Sequence, residues 1–426
     1  MGLTIFSVFF FLSGLDDTLI FPALPNLELF RHYPKYLISV IYGCYPGMMI
    51  IASILSGNFI YKYSPINLMI ITLVLKTVFS YAFGCIEFIQ TNYLSLAIIF
   101  ISRLALASMS ALGTTLILSI IASDQNLQSV SKKFGVLEFA FGLGAVIGPV
   151  LGAALHQIGG FQTPLYFASF CYAILLLMQV IDSRNSTSLS LTVNQDSPIV
   201  KTLMGNKLWC FISISVTFGL LAVGCLAQSF FQFLYTKLAL SETVSSLCYI
   251  CGPVSYSLAC LLIGALGRGQ FTDGNRLLKL GISLNGIGFL LLGPVPITKI
   301  SFRMNILCSV LGNLIFGIGL ALVVIPGFTL QMNLARQLGL LQNSNLYSQL
   351  SGIFSTLQAL GLTIGPILGE FISLAIGFQW MSTIIGSGFV VLFILLIALT
   401  DPKYQSTDLF DSKSNSKIIP ESPELK

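Results

Sequence analysis

Charge is what this chain has least of: Asp, Glu, Lys and Arg make up 9% of its 426 residues, where a soluble domain carries about 25%. So few ionised groups cannot coat a water-facing surface of this size, which excludes an ordinary soluble globular protein. Histidine occurs only as His32 and His156, far apart in sequence, so no metal-ligand cluster and no metal site is expected. The nine cysteines show no framework spacing, and most sit in apolar segments, where a thiol acts as a small hydrophobe. Cys248 and Cys251 form a lone C-x-x-C inside an apolar segment, without the second pair that a zinc or redox site would need. No His/Asp/Glu or Cys/His set stands at catalytic spacing, so neither an enzyme nor a cofactor is expected. The net charge of +5 comes from basic residues scattered through short loops, a pattern that does not suit nucleic acid.

What is present in excess is apolar sequence, 55% of the residues, and it needs an apolar solvent. Segments bounded by charged residues or by Pro, Gly and Asn predict twelve helices, at 3–25, 37–60, 68–88, 95–122, 133–157, 163–182, 208–236, 243–266, 278–294, 305–334, 348–375 and 381–400. A span of about 20 apolar residues crosses a bilayer core of about 30 Å, and the strands of a transmembrane barrel are half that length. Met1 to Leu12 resembles a signal peptide in being apolar, but it lacks a basic start and an A-x-A site. It reads as the first span. The polar stretch 183–207 divides the helices six and six, giving bundles at 1–182 and 208–400, and the polar residues 401–426 read as a disordered tail. With the N-terminus in the cytosol, fourteen Lys and Arg fall on the cytosolic side and five on the other. The positive-inside rule therefore places both termini in the cytosol.

The two halves repeat. Residues 135–162 lie over 352–379 without a gap, and eleven of the 28 positions are identical, where composition alone gives about two or three. The matches include Gly144, Gly148, Pro149 and Gly152 with Gly361, Gly365, Pro366 and Gly369. An offset of six spans preserves orientation, so the halves are parallel repeats with a substrate site expected between them. Glycines four apart share one helix face and allow a close helix contact, and the proline bends the helix there. This element is expected to act as the pivot at the seam between the halves.

Gly144-x-x-x-Gly148-Pro149-x-x-Gly152 resembles the antiporter motif of span five in the major facilitator superfamily. Leu137-Glu138, Gly142-Leu143-Gly144, Gly43-Cys44-Tyr45, Gly57-Asn58, Gly293-Pro294-Val295-Pro296-Ile297 and Gly377-Phe378-x-Trp380 are similar to the vesicular amine transporter family, and within it to the vesicular polyamine transporter branch. The resemblance implies a twelve-helix, all-α membrane fold, proton-coupled antiport of organic cations, and a vesicle or other endomembrane. The chain departs from the pattern at Tyr61, Ala227 and Ser355, where family members carry acids, so substrate and proton number do not carry over.

Ionised residues inside spans cost about 2.5–3.5 kcal/mol each on insertion scales and need a role or a partner. The candidates for substrate or proton binding are Asp16 and Asp17 in the first helix, Arg103 in the fourth, Glu138 in the fifth and Glu370 in the eleventh. Asp16 or Asp17 and Arg103 lie at matched depth, so a structural Asp–Arg pair is the competing reading. For Glu138 it is a structural hydrogen bond or a snorkelling end residue, and Lys76 of the third helix, in the same cytosolic half, is a candidate partner for it. The expected partners are a small cationic substrate, protons and the bilayer, and the protein is expected to be a monomer. A drug-type cation exporter or facilitator of the same fold, and a transport-inactive receptor or scaffold, are the rival functions.

Overall fold

Long apolar runs form helices wherever a cap or a glycine sets their ends. The computed structural model describes residues 2–20, 36–88, 92–185, 199–266, 274–294, 301–338, 340 and 344–400. The helices are α1 (Leu3–Leu19), α2 (Tyr36–Phe59), α3 (Pro65–Gly84), α4 (Asn92–Ala122), α5 (Leu127–Gly159), α6 (Gln162–Asn185) and the short α7 (Ile199–Met204). They continue with α8 (Lys207–Gln232), α9 (Glu242–Leu266), α10 (Gly274–Leu292), α11 (Phe302–Gln337), α12 (Ser344–Ile376) and α13 (Phe378–Thr400). The expected tail, most of the expected central loop, and Val295-Pro296-Ile297 lie outside the described residues. Helix α7 falls inside that expected loop.

Ten helices among the described residues are long and apolar enough to cross a membrane. Helices α1, with 17 residues, and α10, with 19, occupy the remaining two of the twelve predicted positions. Several helices outrun their apolar segments. Helix α5 starts at Leu127 rather than 133 because Asn126 caps it, accepting from the backbone N–H of Gln128 at 2.9 Å and of Ser129 at 3.4 Å. Composition marks the membrane crossing, whereas the cap marks the helix. Asp124, beside this cap, accepts from Lys133 at 2.7 Å, which holds its carboxyl well below the usual carboxylate range.

The distribution of polarity is the reverse of a soluble protein's. Phe371, Leu374 and Ile394 are exposed, while Arg103 and Lys76 are among the largest fully buried side chains. The repeat is visible in the backbone as well. Helices α5 and α12 end at Gly160 (φ 75°) and Gly377 (φ 93°), the positive-φ glycines of the described residues. Both sit at matched repeat positions, where a left-handed residue without a Cβ stops the helix.

The glycine stripe does not lie at the seam between the halves, contrary to the expectation from sequence. A Cβ on Gly144 would collide with the carbonyl oxygen of Phe11, on Gly148 with Thr18, and on Gly152 with the carbonyl oxygen of Leu19, all of α1. In the second half, Gly361, Gly365 and Gly369 press in the same way on Thr217, Leu221 and Cys225 of α8. The Cys225 thiol donates to the Gly365 carbonyl at 3.2 Å. Each stripe therefore joins two helices of one half, and Pro149 and Pro366 sit within those contacts.

The seam uses other glycines, near the face at which α1 begins. A Cβ on Gly135 of α5 would lie 2.7 Å from the Cys260 carbonyl oxygen and 3.0 Å from Gly264 Cα, both on α9. A Cβ on Gly352 of α12 would lie 2.7 Å from the Ser53 carbonyl oxygen and 2.9 Å from Gly57 Cα on α2. Gly135 and Gly352 are matched by the repeat, so two symmetry-related crossings close this face. Ser348 donates to the Gly57 carbonyl at 2.8 Å. Arg336 reaches from the end of α11 to the carbonyls of Ala122, Asp124 and Gln125, at 3.1, 2.6 and 2.7 Å. Phe134, Phe328 and Phe354 fill the space between α5, α11 and α12, with ring centroids 4.7–5.8 Å apart.

Candidate functional site

Two acids stand side by side on α1, about 100° apart around the helix, and each meets a different cation. Asp16 is buried against Lys76 of α3, with Oδ2 3.7 Å from Nζ. Tyr172 of α6 joins the two: Lys76 donates to its hydroxyl at 2.8 Å, and the hydroxyl lies 3.4 Å from Asp16 and 3.1 Å from the Leu12 carbonyl. The ammonium also sits over the rings of Tyr172 and Phe9, at 4.6 and 5.4 Å. The alternative pairing of Lys76 with Glu138 is thereby overturned. The reason is direction: Lys76 points into the α1–α3–α6 packing, while Glu138 points out of that half.

Asp17 faces Arg103 of α4 at 3.9 Å, the Asp–Arg pair expected from matched depth. The guanidinium is buried over the Tyr45 ring at 4.5 Å, and Tyr45 hydrogen-bonds to Ser110 at 2.7 Å. Asp17 keeps 36% of its side chain accessible, against 2% for its partner. Of the four charges it is the most exposed.

Glu138 has a different environment. It is buried on α5, on the side turned to the second half, and accepts a 2.7 Å hydrogen bond from Tyr256 of α9. Gln358 of α12 also hydrogen-bonds to it. No Lys, Arg or His among the described residues lies within ion-pair distance of it. A buried carboxylate without a counter-charge must hold a proton or attract a cation. Glu370 of α12 is half-buried, has no ion pair among the described residues, and lies twelve residues beyond Gln358 on its helix.

Tyr45, Tyr172, Tyr256 and Gln358 had no place in the sequence-derived set. The signal for the tyrosines was their position within spans, since a buried phenol hydroxyl seeks a partner.

Comparison with known proteins gives this arrangement a context. The sequence profile of the Major Facilitator Superfamily matches residues 6–347. The chain belongs to the major facilitator superfamily. The mouse MFS-type transporter SLC18B1 is 27% identical to this superfamily member over 353 residues, 82% of this chain and 75% of that one. The rat synaptic vesicular amine transporter is 22% identical over 318 residues, 71% of this chain and 56% of that one. The crystal structure of the human organic anion transporter MFSD10 shares the fold, with a TM-score of 0.73 over 92% of this chain and 98% of that chain, at 17% identity. This superfamily member is thus a secondary transporter related to the vesicular amine transporters, and not an enzyme.

Proposed function

We propose that the protein is a monomeric antiporter that exchanges protons for an organic cation, a polyamine or related amine, across a vesicle or other endomembrane, with both termini in the cytosol. The observation that carries this reading is Glu138: buried, without a counter-ion among the described residues, and held by donors from the opposite half. In that position, loss or gain of one positive charge acts on the contact between the halves. The ion pairs Asp16–Lys76 and Asp17–Arg103 are already neutral, so a second cation enters there by competing with Arg103 for the accessible Asp17.

The depths of the two acids favour a long, linear cation. Gly148 lies against Leu15 and Thr18, which puts Asp17 about ten residues beyond the level of Glu138, or roughly 15 Å at 1.5 Å per residue. That is the reach of an extended polyamine rather than of a single ammonium. With the crossings at Gly57 and Gly135 on the cytosolic side, the form described here is the one closed to the cytosol. The energetics suffice: one proton moving down two pH units supplies about 2.7 kcal/mol, enough for roughly hundredfold accumulation of a neutral amine. A multiply charged amine needs more protons, because a lumen-positive potential costs about 2.3 kcal/mol per charge per 100 mV.

Uptake of labelled spermine or spermidine into proteoliposomes under an imposed pH gradient tests the reading. Wild type should accumulate the amine only with the acid side inside, and Glu138→Gln should lose the gradient dependence. Uptake that ignores the gradient in wild type refutes antiport, and an unchanged Glu138→Gln removes Glu138 from it.

A further inference from the structure

We propose that the part of α9 beyond Pro253 is a hinged arm released by neutralisation of Glu138, with Asn313 as the positioning residue at its hinge and Tyr256 at its latch. The inference rests on the reading of Glu138 as the exchanging carboxylate.

The hinge follows from the backbone. Pro253 lies inside α9 and has no N–H, so the carbonyl four residues earlier, on Tyr249, loses its helical partner. Asn313 of α11 supplies the missing donor: its Nδ2 lies 3.0 Å from the Tyr249 carbonyl and 2.9 Å from that of Cys248. Asn313 is 3% exposed, and Gly252 leaves the room for it, since a Cβ there would overlap its amide. A side-chain amide standing in for a helix hydrogen bond keeps the break satisfied at more than one bend angle, which a fixed backbone bond does not.

The latch lies one turn further along. Tyr256 is three residues beyond the proline, and it donates to Glu138 across the seam at 2.7 Å. Beyond it, Cys260 and Gly264 form the crossing with Gly135 that closes this face. The titratable groups facing Glu138 are Tyr256 and Cys260 from α9, while α12 presents Gln358. A hydrogen bond to a charged acceptor is about twice as strong as one to a neutral acceptor. Neutralising Glu138 therefore weakens the Tyr256 bond, while Asn313 still holds α9 before Pro253 and Ser255, next to the hinge, keeps its 3.0 Å hydrogen bond to the Leu314 carbonyl of α11.

Cys260 is a built-in reporter, because it lies on the arm itself and is fully buried at the crossing with Gly135. Its alkylation by N-ethylmaleimide, followed by peptide mass spectrometry on the full-length protein in nanodiscs, needs neither substrate nor gradient. At one fixed pH, Glu138→Gln and Tyr256→Phe should each speed Cys260 labelling by roughly tenfold, the effect of losing one charge-assisted bond. Combining them should add little. Asn313→Ala should also speed labelling in the parent protein but not in a Pro253→Ala background, where the backbone again satisfies Tyr249. Equal Cys260 labelling in wild type and Glu138→Gln overturns the arm even where coupled uptake is lost. Faster labelling in Glu138→Gln with coupled uptake intact keeps the arm and removes the antiport reading. An effect of Asn313→Ala that persists with Pro253→Ala refutes the hinge.

Discussion

Replacing Lys76 with Met should destabilise the protein more than replacing Lys76 and Asp16 together. Lys76 is fully buried and Asp16 nearly so, 3.7 Å apart, and Tyr172 bonds to both. Removing one member of such a pair strands the other charge, at a cost of about 3–5 kcal/mol. Removing both, as in Asp16→Leu/Lys76→Met, leaves apolar side chains of similar length against Phe9 and Tyr172, and ends near neutral or mildly stabilising. Against a total stability of roughly 5–15 kcal/mol, the single variant should lose much of its folded yield and the double variant should recover it. Thermal unfolding in detergent, with size-exclusion recovery at each temperature, provides the comparison. Equal stability of Lys76→Met and the double variant, at neutral pH, would refute the argument that this pair is coupled.

Two further substitutions probe the helix contacts. Gly365→Ala would place its Cβ 2.8 Å from Gly224 Cα and 3.1 Å from the Cys225 backbone nitrogen. These atoms cannot rotate away, so unfolding should show a loss of about 1–3 kcal/mol. Gly43→Ala, where nothing lies within 4 Å, should be neutral or gain up to about 1 kcal/mol from helix propensity. The reverse order would discredit the close α8–α12 contact. Arg336→Lys should raise hydrogen exchange around 122–130, since an ammonium cannot fork onto three carbonyls as the guanidinium does. Exchange identical to wild type would show that the clamp is not used.

Composition, run length and the repeat were enough to specify a polytopic helical membrane protein with two like-oriented halves. These are one-dimensional properties: a bilayer of fixed thickness reads them residue by residue. The acids and Arg103 were visible for the same reason, because charge inside an apolar run stands out. Partners were not visible. Glycines four apart announce that a helix is approached closely, but not by which neighbour, and the stripe at Gly144 proved to serve α1 within one half while Gly135 serves the seam. Lys76 chose Asp16 over Glu138 through the rotation of α3, and Glu138 found Tyr256 and Gln358 through the meeting of α5, α9 and α12. Rotation and meeting of helices depend on all their side chains packing at once, so only the tertiary structure decided which acid has a cation beside it and which has none among the described residues.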